Sequence, residues 1–327
     1  MSPKTWAVAL MSLIGAACLL VPSVVLGVFG ATTIGSLAGL AALGIAITAA
    51  TLGRRAGVLT SIIAAAAGAL GVLVAGELVP AVIVMVAAAI GFGWTARLGA
   101  NTATAVLPVT LAFVVNEPAS AGTTGLHPAL LMVLAVLITG LLATLATGAV
   151  LNRTGHVHAL KALSPSRTAG FIVQLAVTTA FTTAISVGGQ WGHAGGWMAM
   201  TPFLVIQPYV QDGSRKALRR GAGTIGGFFI AMGFATLLGN AWPLVVVGIA
   251  FAAGSVMAFM RQMDYGLYAL LLTPAIIILE GFGSNVQATA ISRLEATLIG
   301  IGLSLLAMAI AWPFYRRGAR RNDLAHY

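Results

Sequence analysis

Residues 54–97, RRAGVLTSIIAAAAGALGVLVAGELVPAVIVMVAAAIGFGWTAR, and residues 219–261, RRGAGTIGGFFIAMGFATLLGNAWPLVVVGIAFAAGSVMAFMR, show one pattern twice. Each opens on an arginine pair, runs through Ala, Gly, Leu, Val and Ile, carries a proline, and closes on arginine. Arg54-Arg55 answers to Arg219-Arg220, Pro80 to Pro243 and Arg97 to Arg261. The same spacing continues outward, from Pro108 to Pro274 and from Arg153 to Arg316-Arg317. The offsets of 163 to 166 positions are close to half of the 327 residues. Apolar spans repeated together with their charged punctuation predict a transporter built from two structural repeats, with its working region at their seam.

Composition points the same way. Hydrophobic residues make up 59% of the chain and charged residues 7%, where a soluble domain carries roughly 25% charged. So few charges cannot cover a soluble surface, and the chain reads as an all-α, polytopic membrane protein in the lipid bilayer. The net charge of +10 does not predict a nucleic-acid partner, because the basic residues sit in short clusters between apolar spans. One cysteine, Cys18, allows neither a disulfide framework nor a thiolate metal site.

At about 20 residues per crossing, twelve spans are predicted: 7–27, 31–52, 57–77, 79–96, 102–117, 129–151, 170–188, 195–210, 222–239, 241–260, 265–281 and 291–314. Residues 1–151 form the first six-helix repeat, 152–169 a linker, 170–315 the second repeat and 316–327 a basic tail. Of the seventeen Lys and Arg, all but Arg293 fall at the termini or in the even-numbered connections. By the positive-inside rule both termini then face the cytoplasm. Six spans per repeat is an even number, so the repeats are parallel, related by an axis along the membrane normal.

The candidate chemistry lies mainly in the second half. Trp197…Thr201-Pro202, followed by Gln207-Pro208, breaks one short span, and Thr273-Pro274 breaks another. Proline removes a backbone donor and crowds the carbonyl four residues earlier, and such backbone is tolerated only inside protein or beside an aqueous cavity. Arg219-Arg220-Gly-Ala-Gly223-Thr224 is predicted to open the ninth span, where free helix amides beside two arginines would draw an anion. The ordinary reading of the same residues is a topology signal followed by close helix packing. Glu77, Glu117 and Glu280 fall at span ends, where solvation accounts for them. Arg293 and Glu295 lie deeper; two residues apart, they face different directions, and Glu295 is the candidate proton-coupling carboxylate. His127 and His193 fall in external loops and His156 and His158 in the linker, without metal spacing. No catalytic set is recognisable, so the expectation is a non-enzyme that needs no metal or cofactor.

Four spaced elements carry a resemblance over about Phe171 to Arg317: Trp197…Thr201-Pro202…Gln207-Pro208, Arg220-x-x-Gly223-Thr224-x-x-Gly227, Tyr268…Thr273-Pro274, and Arg293-x-x-x-Thr297-x-x-Gly300. In this order they resemble the fusaric acid resistance (FUSC-type) and aromatic acid exporter superfamily. The resemblance implies inner-membrane export of small aromatic or similar organic anions, driven by the proton gradient. Plant aluminium-activated malate channels, similar in the same broad sense, make a passive anion channel the alternative. A membrane scaffold without a substrate is a third reading, and a periplasmic adaptor or a homo-oligomer stays open as partner.

Charge asymmetry makes a topology prediction. Cysteines placed in the connections 118–128 and 282–290 should react with an impermeant thiol reagent in intact cells. A cysteine replacing Arg320 should react only after the cells are opened, and its labelling from outside would overturn the orientation.

Overall fold

A computed structural model describes residues 3–117, 125–151, 162–239, 241–261, 263–281 and 285–324. Every regular element among them is helical. The helices are α1 (Pro3–Val28), α2 (Thr32–Leu52), α3 (Arg54–Val74), α4 (Leu78–Thr95), a four-residue α5 (Asn101–Thr104), α6 (Val106–Asn116) and α7 (Leu126–Leu151). They continue as α8 (Pro165–Gly188), α9 (His193–Val205), α10 (Val210–Leu238), α11 (Trp242–Met260), α12 (Tyr265–Gly281) and α13 (Val286–Leu324). Eight of them, α1–α4, α7, α8, α10 and α13, are long and apolar enough to cross a membrane; α6, α11 and α12 are shorter apolar helices.

Glycine sets the breaks. Gly30, Gly53, Gly76, Gly125, Gly192 and Gly239 all adopt positive φ, in the junctions before α2, α3, α4, α7, α9 and α11. There a residue without Cβ turns the chain at little steric cost. Prolines set several starts. Pro165 follows Ser164 as the first residue of α8, and Pro80, Pro108, Pro128 and Pro243 fall in the first turns of α4, α6, α7 and α11, where a missing N–H costs little.

Four expected boundaries differ in the structure. The fifth predicted span is two helices, α5 and α6, because Pro108 offers no N–H to the Thr104 carbonyl and α6 begins anew two residues before it. Helix α8 starts inside the predicted linker, and α13 continues as helix through Pro313 to Leu324, across most of the predicted tail. Helix α10 begins at Val210, nine residues before Arg219. The stretch Gln211–Leu218 contains no proline and one glycine, so nothing in it stops a helix. Linker residues 152–161, with His156 and His158, lie outside the described residues.

Prolines inside the helices are answered from the neighbouring helix. Pro22 of α1, Pro202 of α9 and Pro274 of α12 leave the carbonyls of Cys18, Met198 and Leu270 without a helical donor. A Cβ on Gly39 of α2 would stand 2.8 Å from the Cys18 oxygen, and one on Gly300 of α13 would stand 2.9 Å from the Met198 oxygen. One on Gly227 of α10 would stand 2.9 Å from the Leu270 oxygen. Each freed carbonyl is thus covered by a glycine, whose Cα–H groups are the weak donors that such close backbone approach permits. These contacts fix the pairs α1·α2, α9·α13 and α10·α12, which are among the most closely packed in the molecule.

The two halves meet where α4 packs on α8 and α6 on α9. Buried aromatic rings fill this seam. Phe92 lies 5.8 Å from Phe203, edge to face, and 6.2 Å from Phe171, while Phe113 meets Trp197 edge to face at 4.8 Å. Pairs of this geometry contribute about 0.5–1.5 kcal/mol each beyond their buried area.

The glycine rule separates neighbouring positions on one helix. Gly300→Val should lower the stability of the detergent-solubilised protein by roughly 1–3 kcal/mol, the usual cost of overpacking, seen as a lower melting temperature. Gly302 has nothing within 4 Å of its Cβ position, so Gly302→Val should change stability by less than about 0.5 kcal/mol. Equal effects would remove the packing role of Gly300.

Candidate anion site and carboxylate clasp

Two of the glycine-closed pairs carry a buried arginine seven residues before the glycine: Arg293 before Gly300 and Arg220 before Gly227. Both side chains are therefore drawn into the protein, each 4% exposed. The guanidinium carbon of Arg293 lies 3.5 Å from the centre of the Trp197 ring. Thr201, one residue before Pro202, donates its hydroxyl to the Trp197 carbonyl at 2.7 Å and holds the broken helix in register. Arg220 donates through Nη1 to the Tyr265 hydroxyl at 3.2 Å. The Nε of Arg220 and the Nε and Nη1 of Arg293 have no acceptor among the described residues. Arg293 is within electrostatic range of Arg220, Tyr268 and Glu280.

Magnitudes decide what this arrangement lacks. Burying a guanidinium costs several kcal/mol, and a desolvated cation–π contact returns about 2 kcal/mol. Neither a tryptophan face nor a tyrosine hydroxyl balances that cost, and neither accepts the remaining N–H groups. A carboxylate would do both, through paired charge-assisted hydrogen bonds. Chemically, the arrangement is a pair of buried, donor-rich guanidiniums among the rings of Trp197, Tyr265 and Tyr268.

The structure sorts the residues expected to bind substrate. Trp197, Thr201, Pro202, Arg220, Thr224, Thr273 and Pro274 are all buried, on α9, α10 and α12. Arg219 does not join them: its Nη1 forms an ion pair with Asp264, both side chains being 48% exposed, and such a surface pair contributes little. Gly223 and Thr224 lie inside α10, so their amides are not the free amides of a helix start, and the expected amide mouth is not formed. Gly223 instead packs on α12, where a Cβ would come 2.6 Å from the Gly266 oxygen. Gln207 donates to the adjacent Ile206 carbonyl at 3.0 Å in the turn between α9 and α10. Glu295 lies on the exposed face of α13 with Ile291 and Leu298, whereas Arg293, Thr297 and Gly300 lie on the buried one. The Arg293–Glu295 coupling pair is therefore split between faces.

A second cluster lies at the end of the bundle away from the arginine-rich helix ends. Glu117 follows α6, His193 opens α9, and Glu280 stands near the end of α12. His193 donates through Nδ1 to Glu117 Oε1 at 2.9 Å, and its Nε2 lies 3.5 Å from Glu280 Oε1. An imidazole whose two nitrogens both face carboxylates is satisfied when both carry hydrogen, that is, as imidazolium. Burial lowers the basicity of His193, but the two carboxylates outweigh it and raise its pKa to about 10. With 47% of the side chain exposed, water screens part of this shift, and its upward direction stands. The imidazolium is thus favoured through neutral pH, and the ion pairs are lost as pH rises through the folded-state value. The expected loop position of His193 is corrected: it opens α9, and three helix ends, distant in sequence, converge on it.

Beside Glu117 is a cavity of about 300 Å³, lined also by Asn116, Ser186, Val187, Gln190 and Gly192. Asn116 is 4% exposed; its amide nitrogen donates to the Ala112 carbonyl, and its Oδ1 has no donor among the described residues. From Ser186 a buried polar stripe runs along α8 through Thr183, Thr182, Thr179, Thr178 and Gln174. The hydroxyls of Thr179 and Thr183 have no partner among the described residues. Its sequence signal is hydroxyl residues recurring at helical spacing in an otherwise apolar span.

Residues 169–307 match the family described as fusaric acid resistance protein-like. They run from near the start of α8 into α13 and contain α9–α12, both buried arginines and all four spaced elements. No curated protein and no solved structure matches the chain. The second half of this multi-helix membrane protein is thus similar to the fusaric acid resistance protein-like family.

Proposed function

We propose that this protein exports small aromatic or amphipathic organic anions across the bacterial inner membrane, in exchange for protons. The observation that carries this reading is the pair of buried, incompletely paired guanidiniums, Arg220 and Arg293, beside Trp197, Tyr265 and Tyr268. An ionisable group in a membrane interior marks a substrate or ion path by default. Two cations and an aromatic wall suit a carboxylate carried on a ring. The α8 hydroxyl stripe supplies polar groups between the site's end of the seam and the outer cavity. The family match over residues 169–307 supports a transport or efflux role.

In this reading all twelve predicted spans cross or enter the membrane as two parallel six-helix repeats, with both termini cytoplasmic. The pairing of α2 with α7 in the first half and α9 with α13 in the second supports that arrangement. Arg293 supplies the fork that grips the carboxylate, Trp197 stacks beside it, and Arg220 with Tyr265 forms the step nearer the arginine-rich side.

Counterflow of benzoate in proteoliposomes, with and without a pH gradient, tests this directly. Arg293→Gln should raise the apparent KM roughly tenfold to hundredfold, since a hydrogen bond to a charged group is worth about 1.5–3 kcal/mol. Arg293→Lys should recover only part of that loss, because an ammonium cannot reproduce the planar fork. Benzoate flux that ignores the pH gradient would favour the channel. Unchanged kinetics in both Arg293→Gln and Arg220→Gln would overturn the site.

A further inference from the structure

We propose that Glu117, His193 and Glu280 form the outer gate of the anion path and that a proton from the outer side opens it. This rests on the export reading for what passes through the gate, while the gate itself stands on its own geometry. Glu117 comes from the first half of the chain, and His193 and Glu280 from the second, so their ion pairs tie the halves together across the seam. A chain of ring contacts leads from the clasp to the anion site: His193 lies 5.0 Å from Phe113, Phe113 4.8 Å from Trp197, and Trp197 carries Arg293 on its face. Movement of α9 at His193 therefore moves the wall of the site.

The cavity supplies the approach for water. It reaches Glu117 directly, and the polar residues Ser186 and Gln190 share its lining. A proton delivered through it adds to a carboxylate oxygen of Glu117 or Glu280. The carboxylate becomes a neutral acid, its attraction to the imidazolium is lost, and the seam between α6 and α9 is freed. The 3.5 Å pair with Glu280 is long for a hydrogen bond, so it is the weaker tie. Few other charges bear on the clasp. From α13, Arg293 faces Glu280 and Glu295 lies on the exposed face; Glu77 is exposed on the α3–α4 turn. The charged groups of α8 and α10, Arg167, Asp212, Arg215, Lys216, Arg219 and Arg220, belong to the opposite end. The connecting residues 118–124 and 282–284 carry no titratable side chain.

Ser186, fully buried on the cavity wall, is the reporter position. In full-length protein with Cys18→Ala and Ser186→Cys, an impermeant maleimide is applied to the outer side of proteoliposomes. The rate of thiol modification is corrected for thiolate content with a free-thiol standard. Lowering the outer pH from 7.5 to 4.0, into the range where glutamate carboxylates take up protons, should raise that rate at least fivefold. Adding Glu117→Gln with Glu280→Gln, which imitates the protonated clasp, should give the fast rate at both pH values. His193→Gln should do the same, and the single Glu280→Gln should give an intermediate rate should the double variant not fold. A parent rate independent of pH, or variants that keep the parent's pH response, would overturn the gate. Failure of the export reading shows separately, as absence of benzoate counterflow in the parent while the labelling result still stands.

Discussion

A carbonyl freed by proline inside a membrane helix has no water to turn to, and the second half of this protein is arranged around that constraint. An unsatisfied backbone group in hydrocarbon costs several kcal/mol, comparable to much of a domain's net stability of about 5–15 kcal/mol. Met198 and Leu270 are left in this position by Pro202 and Pro274, and each is closed by the backbone of a second helix at a glycine. That closure brings α13 against α9 and α10 against α12. The same turns of helix carry Arg293 and Arg220 seven residues earlier, so packing delivers two guanidiniums to the interior. The site and the fold share one set of contacts.

This accounts for the grouping of the four spaced elements. Trp197…Thr201-Pro202 is the partner of Arg293…Thr297…Gly300, and Tyr268…Thr273-Pro274 is the partner of Arg220…Gly223…Gly227. In each pair one helix is broken by proline and lined with aromatic residues, and the other brings an arginine and a glycine. Pro22 with Gly39 repeats the backbone part in the first half without an arginine. The device is structural at root, and its second-half versions have a cation added.

The sequence made much of this legible, and the failures have physical causes. Apolar length and basic punctuation identified the helices, because both follow from the bilayer itself. The start of α10 was misplaced because the amphipathic stretch Gln211–Leu218 looks like a loop when only apolar residues mark a span. Its helical extension removed the proposed amide mouth and gave Arg219 to Asp264. Arg220 was singled out for attraction at an entrance, whereas the structure buries it. The clasp was missed altogether: Glu117, His193 and Glu280 are 76 and 87 positions apart, and each at a helix end looks solvated by itself. Only the packed helices show that His193 meets both carboxylates.

The division of labour between the halves follows from where the charges are. The second half holds the uncompensated cations, and the first half contributes to the seam Phe92, Phe113, Asn116 and Glu117: rings, an amide and a carboxylate. An anion arriving between them replaces none of the existing ion pairs of Arg220 or Arg293, because the described residues give those guanidiniums none. What it does perturb is the electrostatic link between Arg293 and Glu280, since a bound carboxylate screens Arg293 from Glu280. Glu280 is the weaker tie of the clasp, so loading the site and protonating the clasp act on the same residue from opposite sides. In the proposed export cycle, coupling of this kind needs no moving wire through the protein, only one glutamate shared between the proposed gate and the proposed binding site.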